Sequence, residues 1–224
     1  MGRGREKLTL EEQLILDDSI ANVRVFSARQ VITRRGERLR SSRLLLEGFV
    51  YRSVDDRQGQ RQIVELHVPG DFIDLDGFQL KRLDHDIVTT GTAKIATFDH
   101  ETLARLSERC PHLTQALWVK TLLDAARHRD SIFRLGRLGA EARIAHFFCE
   151  LYDRLDLVGL VQNNSFELAL TQVDLAEATG LTGVHVNRVL RSLRERGFLR
   201  FVNRQVYVLD KNGLADLGNF EPRF

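Results

Sequence analysis

The stretch from Thr182 to Gln205, "TGVHVNRVLRSLRERGFLRFVNRQ", carries six arginines and a single carboxylate, Glu195. Its apolar residues are evenly spaced, so it cannot be a disordered basic tail. Val186, Val189, Leu190 and Leu193 stand at i, i+3, i+4 and i+7 and make one buried stripe of a helix. At about 100° per residue, Val184, Arg188, Arg191 and Glu195 fall on the opposite side. His185 and Ser192 flank one edge and Asn187 the other. Thr182 caps this helix and Gly197 stops it, which predicts a span from Gly183 to Arg196. A shorter helix, "QVDLAEAT", precedes it. Thr171 stands before that helix with Asp174 at the capping-box position, and Gly180 breaks it.

Two helices joined by a short turn containing glycine form a helix-turn-helix pattern. Ala176 is small where the helices must approach, Gly180 suits the turn, and Val186 inserts between the two. Downstream, "FLRFVNRQVYVL" alternates apolar and polar residues about Asn203–Arg204, which reads as a β-hairpin. The combination is a winged helix. The first turns of its second helix present Gly183, Val184, Asn187 and Arg188 outward, with Arg191 one turn on. Arg200 and Arg204 on the wing can reach phosphates of double-stranded DNA. Six arginines against Glu195 concentrate positive charge here, although the whole chain has a net charge of only +2; any nucleic-acid footprint is therefore local. The bland alternative is a solvated arginine face on a structural winged helix.

Upstream, the 224 residues leave room for one large or two modest domains. Thr9 and Glu12 form a capping box for a short helix from Leu10 to Ile20, with Leu10, Leu14 and Ile15 at helical spacing. From Val23 to Asp99 the pattern changes to short β-rich runs such as "VRVFSARQVI" and "RQIVELHVPGDFIDL". Gly36, Gly59, Pro69–Gly70 and Gly77 punctuate them, as in an all-β roll or barrel. "HETLARLSERC" is a short helix ended by Pro111. The run from His112 to Leu135 then holds no Gly or Pro and spans ~35 Å as a helix. Its apolar residues, among them Leu113, Leu117, Leu122 and Ile132, do not keep one strict heptad, yet they make a broad apolar surface. A symmetric helix pair accounts for that surface, making the chain its own partner as a homodimer; a helix lying across its own domain is the alternative. Gly136 and Gly139 bracket a hinge, and "AEARIAHFFCELYDRL" is a further helix buried through Ile144, Phe147, Phe148 and Leu151. The expected class is α+β: an N-terminal double-stranded β-roll over 1–111, a long dimerisation helix and hinge over 112–136, and a winged helix over 137–224.

Several functions are excluded. Cys110 and Cys149 lie far apart with no CxxC pair, so two buried free thiols in a reducing cytosol are expected. No apolar stretch is long enough to span a bilayer. The N-terminus lacks the apolar core of a signal peptide, and Glu6 stands where a myristoylation signal needs Ser or Thr. A cytoplasmic protein with no membrane partner is expected. There is no P-loop, GxSxG or HExxH, so no enzyme is expected. Asp17–Asp18 and Asp55–Asp56 read as a helix end and a turn.

The order of parts resembles the Crp/Fnr family of bacterial transcription regulators, over roughly Leu8 to Leu217. Its most specific pieces are "LTQVDLAEATGLTGVHVNRVLRSLRERGFL" and "VPGDFIDL". The resemblance implies a homodimer paired along the 112–135 helix, with two recognition helices in successive major grooves of a near-palindromic site, and RNA polymerase as a further partner. Recognition helices of that family typically begin Ser/Thr-x-Glu-x-x-x-Arg, which Thr182, Val184 and Arg188 match except at Val184. The resemblance therefore gives Arg188 to guanine O6 and N7. Valine can touch a thymine methyl but cannot accept from cytosine N4, so the half-site should differ there. Thr171, Gln172, Thr182 and His185 match positions facing the DNA backbone. A small-molecule sensor, of a nucleotide or haem, whose main output is protein–protein contact is the alternative function.

The resemblance also frames the effector. Members that bind cyclic AMP hold its phosphate with an arginine. Here that position falls within Asp84-His85-Asp86, and two carboxylates repel a phosphate unless Arg82 swings in. His128 and Arg129 stand where the purine would be met. Asp71, Asp84, His85, His128 and Arg129 are thus the candidate effector-pocket residues, and cyclic AMP is not expected. The cysteine cluster of Fnr-type oxygen sensors is missing, so no iron–sulfur cluster is expected. His67, His85 and His128 read as ordinary histidines, so haem is not expected. No metal site is expected either.

Overall fold

The computed structural model describes residues Leu8–Pro222; residues 1–7, with the Glu6 position considered for myristoylation, and 223–224 lie outside the described residues. Helix α1 (Leu10–Asp18) leads into strands β1 (Asn22–Phe26), β2 (Val31–Thr33), β3 (Ser41–Glu47), β4 (Val50–Asp55) and β5 (Arg61–His67). A one-turn helix α2 (Gly77–Leu80), β6 (Asp86–Thr89) and β7 (Ala93–Asp99) follow. Helices α3 (His100–Arg109), α4 (Pro111–Arg137) and α5 (Ala140–Leu157) come next, then β8 (Ser165–Glu167). The chain closes with α6 (Gln172–Thr179), α7 (Gly183–Glu195), β9 (Leu199–Val202), β10 (Gln205–Val208) and α8 (Lys211–Gly218). Two compact units result. One holds the residues up to Val50 with Pro69–Arg129; the other holds Tyr51–Val68 with the residues from Asp130 on.

In the first unit β1, β7 and β3 form an antiparallel sheet, in which Arg24 and Leu45 both face Ile95 in register. β2 pairs with β6. Leu45, Val50, Ile73, Ile87 and Ile95 form one apolar cluster, while Phe72, Phe98, Leu103, Leu106 and Leu113 form a second. The Thr9–Glu12 capping box forms as expected, with bonds of 2.8 and 3.2 Å. α1 ends at Asp18, earlier than Ile20, because the Ser19 N–H closes on the Leu16 and Asp17 carbonyls. Leu10 and Leu14 point to solvent. Ile15 and Leu16 are the residues that pack on the second cluster.

Helix α4 has 27 residues and begins on Pro111, whose missing N–H costs nothing at a first helical position. Gly136 lies within it, and the break comes at Leu138–Gly139. The helix carries two apolar stripes. Leu113 and Leu117 pack inward on the second cluster. Trp118, Leu122 and Ile132 point to solvent, at 67, 54 and 71% exposure. With Ala125 and Arg129 these outward residues are spaced by 4, 3, 4 and 3, the heptad interval. The superposition of the two stripes hides the heptad in the sequence.

In the second unit, Ile144, Phe148 and Leu155 of α5 are fully buried, and β8, β10 and β9 form an antiparallel sheet in which Val206 pairs with both Phe166 and Phe201. Helix α8, for which the sequence reading had no expectation, packs on α5. A Cβ on Gly218 would lie 2.7 Å from the His146 backbone nitrogen, so only glycine allows that approach. The His146 ring bridges the Gly218 carbonyl (2.9 Å) and Asp130 (2.8 Å).

Candidate nucleic-acid interface

The site begins with the cap of α6. The Thr171 backbone N–H donates to Asp174 at 2.7 Å and its hydroxyl does so at 2.6 Å, while the Asp174 N–H returns a bond of 3.2 Å. This is the capping box expected from the sequence, in its acidic form. It leaves Thr171 and Gln172 exposed at the helix N-terminus. Gly180 terminates α6 in the left-handed region, at φ 60°, where a side chain would be strained. Gly180, Leu181 and Thr182 make the turn. The Thr182 hydroxyl accepts the His185 N–H at 3.4 Å, and the His185 Nδ1 lies 3.2 Å from it.

Helix α7 then separates its faces. Val186, Val189 and Leu193 are buried and Leu190 is half-buried. Val184 is 79% exposed, and His185, Asn187, Arg188 and Arg191 are exposed with it, while Gly183 is half-buried. The last turn is pinned from the far side. Ser192 donates to Glu141 at 2.6 Å and Arg196 reaches the same carboxylate at 3.0 Å. The arginines therefore divide. Arg196 is structural, stacked also on Phe198 at 4.7 Å. Arg188 and Arg191 stand clear on the exposed side.

The wing is the hairpin β9–β10. Asn203 and Arg204 sit at φ 50° and 62°, the two positive angles of a hairpin turn whose twist matches its strands. Arg204 is exposed at the tip, and Arg200 is exposed with its guanidinium 4.3 Å over the Tyr207 ring. Stacking holds that cation without consuming its outer donors.

Sequence reasoning missed the groups that hold α6 from behind. Arg61 of β5 lies 2.7 Å from Glu177 and 3.7 Å from Asp174, and Gln62 donates to the Glu177 carbonyl. More than 100 residues separate these partners, and no local pattern announces them. Glu141, 51 residues from Ser192 and 55 from Arg196, is likewise announced by no local pattern.

The five candidate effector residues fall into distinct settings. Asp71 is buried beneath α4, in contact with Lys120 and 4.0 Å from Arg127, two cations the sequence reading did not select. The Asp84 carboxylate is exposed and accepts from the buried His85 ring at 2.8 Å; that bond holds Asp84 below the usual carboxylate range. His128 is half-buried and Arg129 exposed on α4.

Cys110 is half-buried, in contrast to the expected full burial, and Cys149 is buried. Burial pushes the Cys149 thiol up to about 12. Its folded value lies above that of the unfolded chain, so it stays a neutral thiol until strongly alkaline pH, and unfolding restores ionisation. A Cys110→Ser variant, left with Cys149 alone, should not react with an aromatic disulfide reagent at pH 8 when native. It should react when denatured; rapid native labelling would show that the site is open.

Comparison with known proteins gives consistent relatives. A model described as a Crp-like helix-turn-helix domain matches residues 142–217, and one described as a cyclic nucleotide-binding domain matches residues 23–110. An anaerobic regulatory protein of Haemophilus influenzae is 25% identical over 211 residues, 93% of this chain and 82% of that protein. The fumarate and nitrate reduction regulatory protein of Escherichia coli is 25% identical over 202 residues, 90% of this chain and 80% of that protein. The structure of FixK2 from Bradyrhizobium japonicum superimposes with a TM-score of 0.80 at 23% identity, covering 88% of this chain and 97% of that one. Among the described residues no helix is long and apolar enough to cross a membrane. A sheet-rich cyclic-nucleotide-binding-like domain, a long helix and a C-terminal winged helix, with regulators of the same order as relatives along most of the length, place the chain in the Crp/Fnr family of DNA-binding transcription regulators.

Proposed function

We propose that the protein acts as a homodimer, paired along α4, that reads a near-palindromic DNA site with two copies of α7 and needs no cyclic AMP. One observation carries the reading of DNA: α7 buries Val186, Val189 and Leu193 and offers Val184, Asn187 and Arg188 to solvent beside an arginine-tipped wing. Arg188 pairs with a guanine, Val184 meets a thymine methyl, and Thr171, Gln172, Thr182, Gly183, His185, Arg191, Arg200 and Arg204 hold the backbone. The outward heptad stripe of Trp118, Leu122 and Ile132 supports pairing along α4.

Independence from cyclic AMP rests on charge. By the family resemblance, Asp84 and Asp86 fall where a cyclic phosphate would need a cation, and Asp71 is already matched by Lys120 and Arg127. Two cysteines are too few for a four-thiolate cluster. The relatives are regulators, which supports a role in regulation and not in catalysis. The protein acts in the cytoplasm, with RNA polymerase as the recipient of its regulation.

Selection of bound sites from random DNA with the purified, ligand-free protein tests this. A palindrome whose half-sites lie about one duplex turn (~34 Å) apart is expected. Arg188→Ala should then cost ~1–3 kcal/mol at one base pair and relax specificity there. A uniform loss over all sequences would make Arg188 a phosphate contact, and failure to select any site would remove the reading.

A further inference from the structure

Arg129 interrupts an apolar seam. It is exposed on α4 four residues after Ala125 and three before Ile132, in line with Trp118 and Leu122. In a symmetric parallel helix pair, a residue at such a position faces its own copy. Two guanidiniums, charged at every physiological pH, then meet where apolar neighbours exclude water. The carboxylates next to them along the helix are engaged elsewhere. Asp124 lies 2.6 Å from Arg127, and Asp130 lies 2.8 Å from His146. The residue beside Arg129, His128, brings an imidazole and no negative charge. Ala125, one turn earlier, is the smallest side chain in the seam and leaves space against the guanidinium.

We propose that the two copies of Arg129 clamp a multivalent oxyanion (phosphate, sulfate or a polycarboxylate) between the paired helices. The inference rests on the helix-paired homodimer proposed above. Guanidinium forks hold oxyanions through paired, charge-assisted bonds. Without the anion the two cations oppose pairing. With it they become a cross-link, so the anion controls dimerisation and, through it, occupancy of the two half-sites. Each subunit contributes half of the site, and neither holds it alone.

Sedimentation equilibrium of the full chain tests this, in sodium chloride, phosphate, sulfate and citrate matched for ionic strength. The dimer should be about tenfold tighter or more in at least one multivalent anion than in chloride. Response to phosphate and sulfate alone marks a tetrahedral oxyanion, and response to citrate alone a polycarboxylate. Arg129→Leu should dimerise tightly in chloride and ignore the anion. Arg129→Lys, which keeps the charge and loses the fork, should stay weakly dimeric in chloride and lose most of the response. Far-ultraviolet circular dichroism checks that each variant keeps its helix content. Equal wild-type dimerisation in all four salts, or a response that survives in Arg129→Leu, overturns the clamp and leaves the dimer standing. A monomer in every salt, for wild type and Arg129→Leu alike, overturns the helix pair itself and the clamp with it.

Discussion

Phe148→Ala should lower the unfolding free energy of the C-terminal unit by about 3–5 kcal/mol, because truncating a buried phenylalanine loses transfer energy and leaves a cavity. Phe148 has no exposed surface. Its ring lies 5.6 Å from Phe147 and 5.9 Å from Phe201, so it joins α5 to the first strand of the wing. Chemical denaturation followed by circular dichroism measures the loss as a shifted midpoint at constant slope. DNA affinity should fall with it near the new midpoint and recover on cooling toward the stability maximum, because the exposed face of α7 is untouched. Phe148→Leu, which keeps most of the volume, should cost less than half as much. A loss under about 1 kcal/mol would mean that α5 and the wing do not share one core.

Trp118→Glu should reduce affinity for the full palindrome by about 10²–10⁴-fold while leaving single half-site binding unchanged, since linked half-sites gain their avidity from being joined. Trp118 is 67% exposed and begins the outward stripe that continues through Leu122 and Ile132. A carboxylate there places like charges across the seam, and the substitution touches none of the buried clusters of the single chain. Sedimentation reads the monomer directly. A Trp118→Glu protein that remained a dimer would move the pairing surface away from α4.

The legible parts of the molecule are those encoded within one or two helical turns. Thr171 with Asp174, Gly180, and Thr182 defined the helix-turn-helix because caps and left-handed turns are local chemistry. The i, i+3, i+4, i+7 spacing of Val186, Val189, Leu190 and Leu193 placed Arg188 on the open side, where it is found. The Asn203–Arg204 turn was readable although it lacks glycine, because the strands alternate cleanly on both sides. Helix α8 was missed: its eight residues are short, and much of what makes it a stable element is the close approach of Gly218 to α5.

Long-range partners were not legible. Glu141 beneath Ser192 and Arg196, and Arg61 behind Glu177, are ordinary charged residues until the chain brings them together. Lys120 and Arg127 gave no sign that Asp71 would lie against them. The α4 heptad was obscured for a related reason. Its inward and outward apolar residues overlap in the sequence, and only packing sorts Leu113 and Leu117 from Trp118, Leu122 and Ile132.

By itself, then, the order of residues determined the winged helix, the long helix and the direction in which Arg188 points, since periodicity and capping act over distances shorter than one element. The tertiary structure alone decided which arginines stay uncommitted within the fold, because Arg196 is taken by Glu141 while Arg188 and Arg191 remain exposed. It also decided which stripe of α4 is available to a second copy, because an apolar side chain is committed only when another surface covers it.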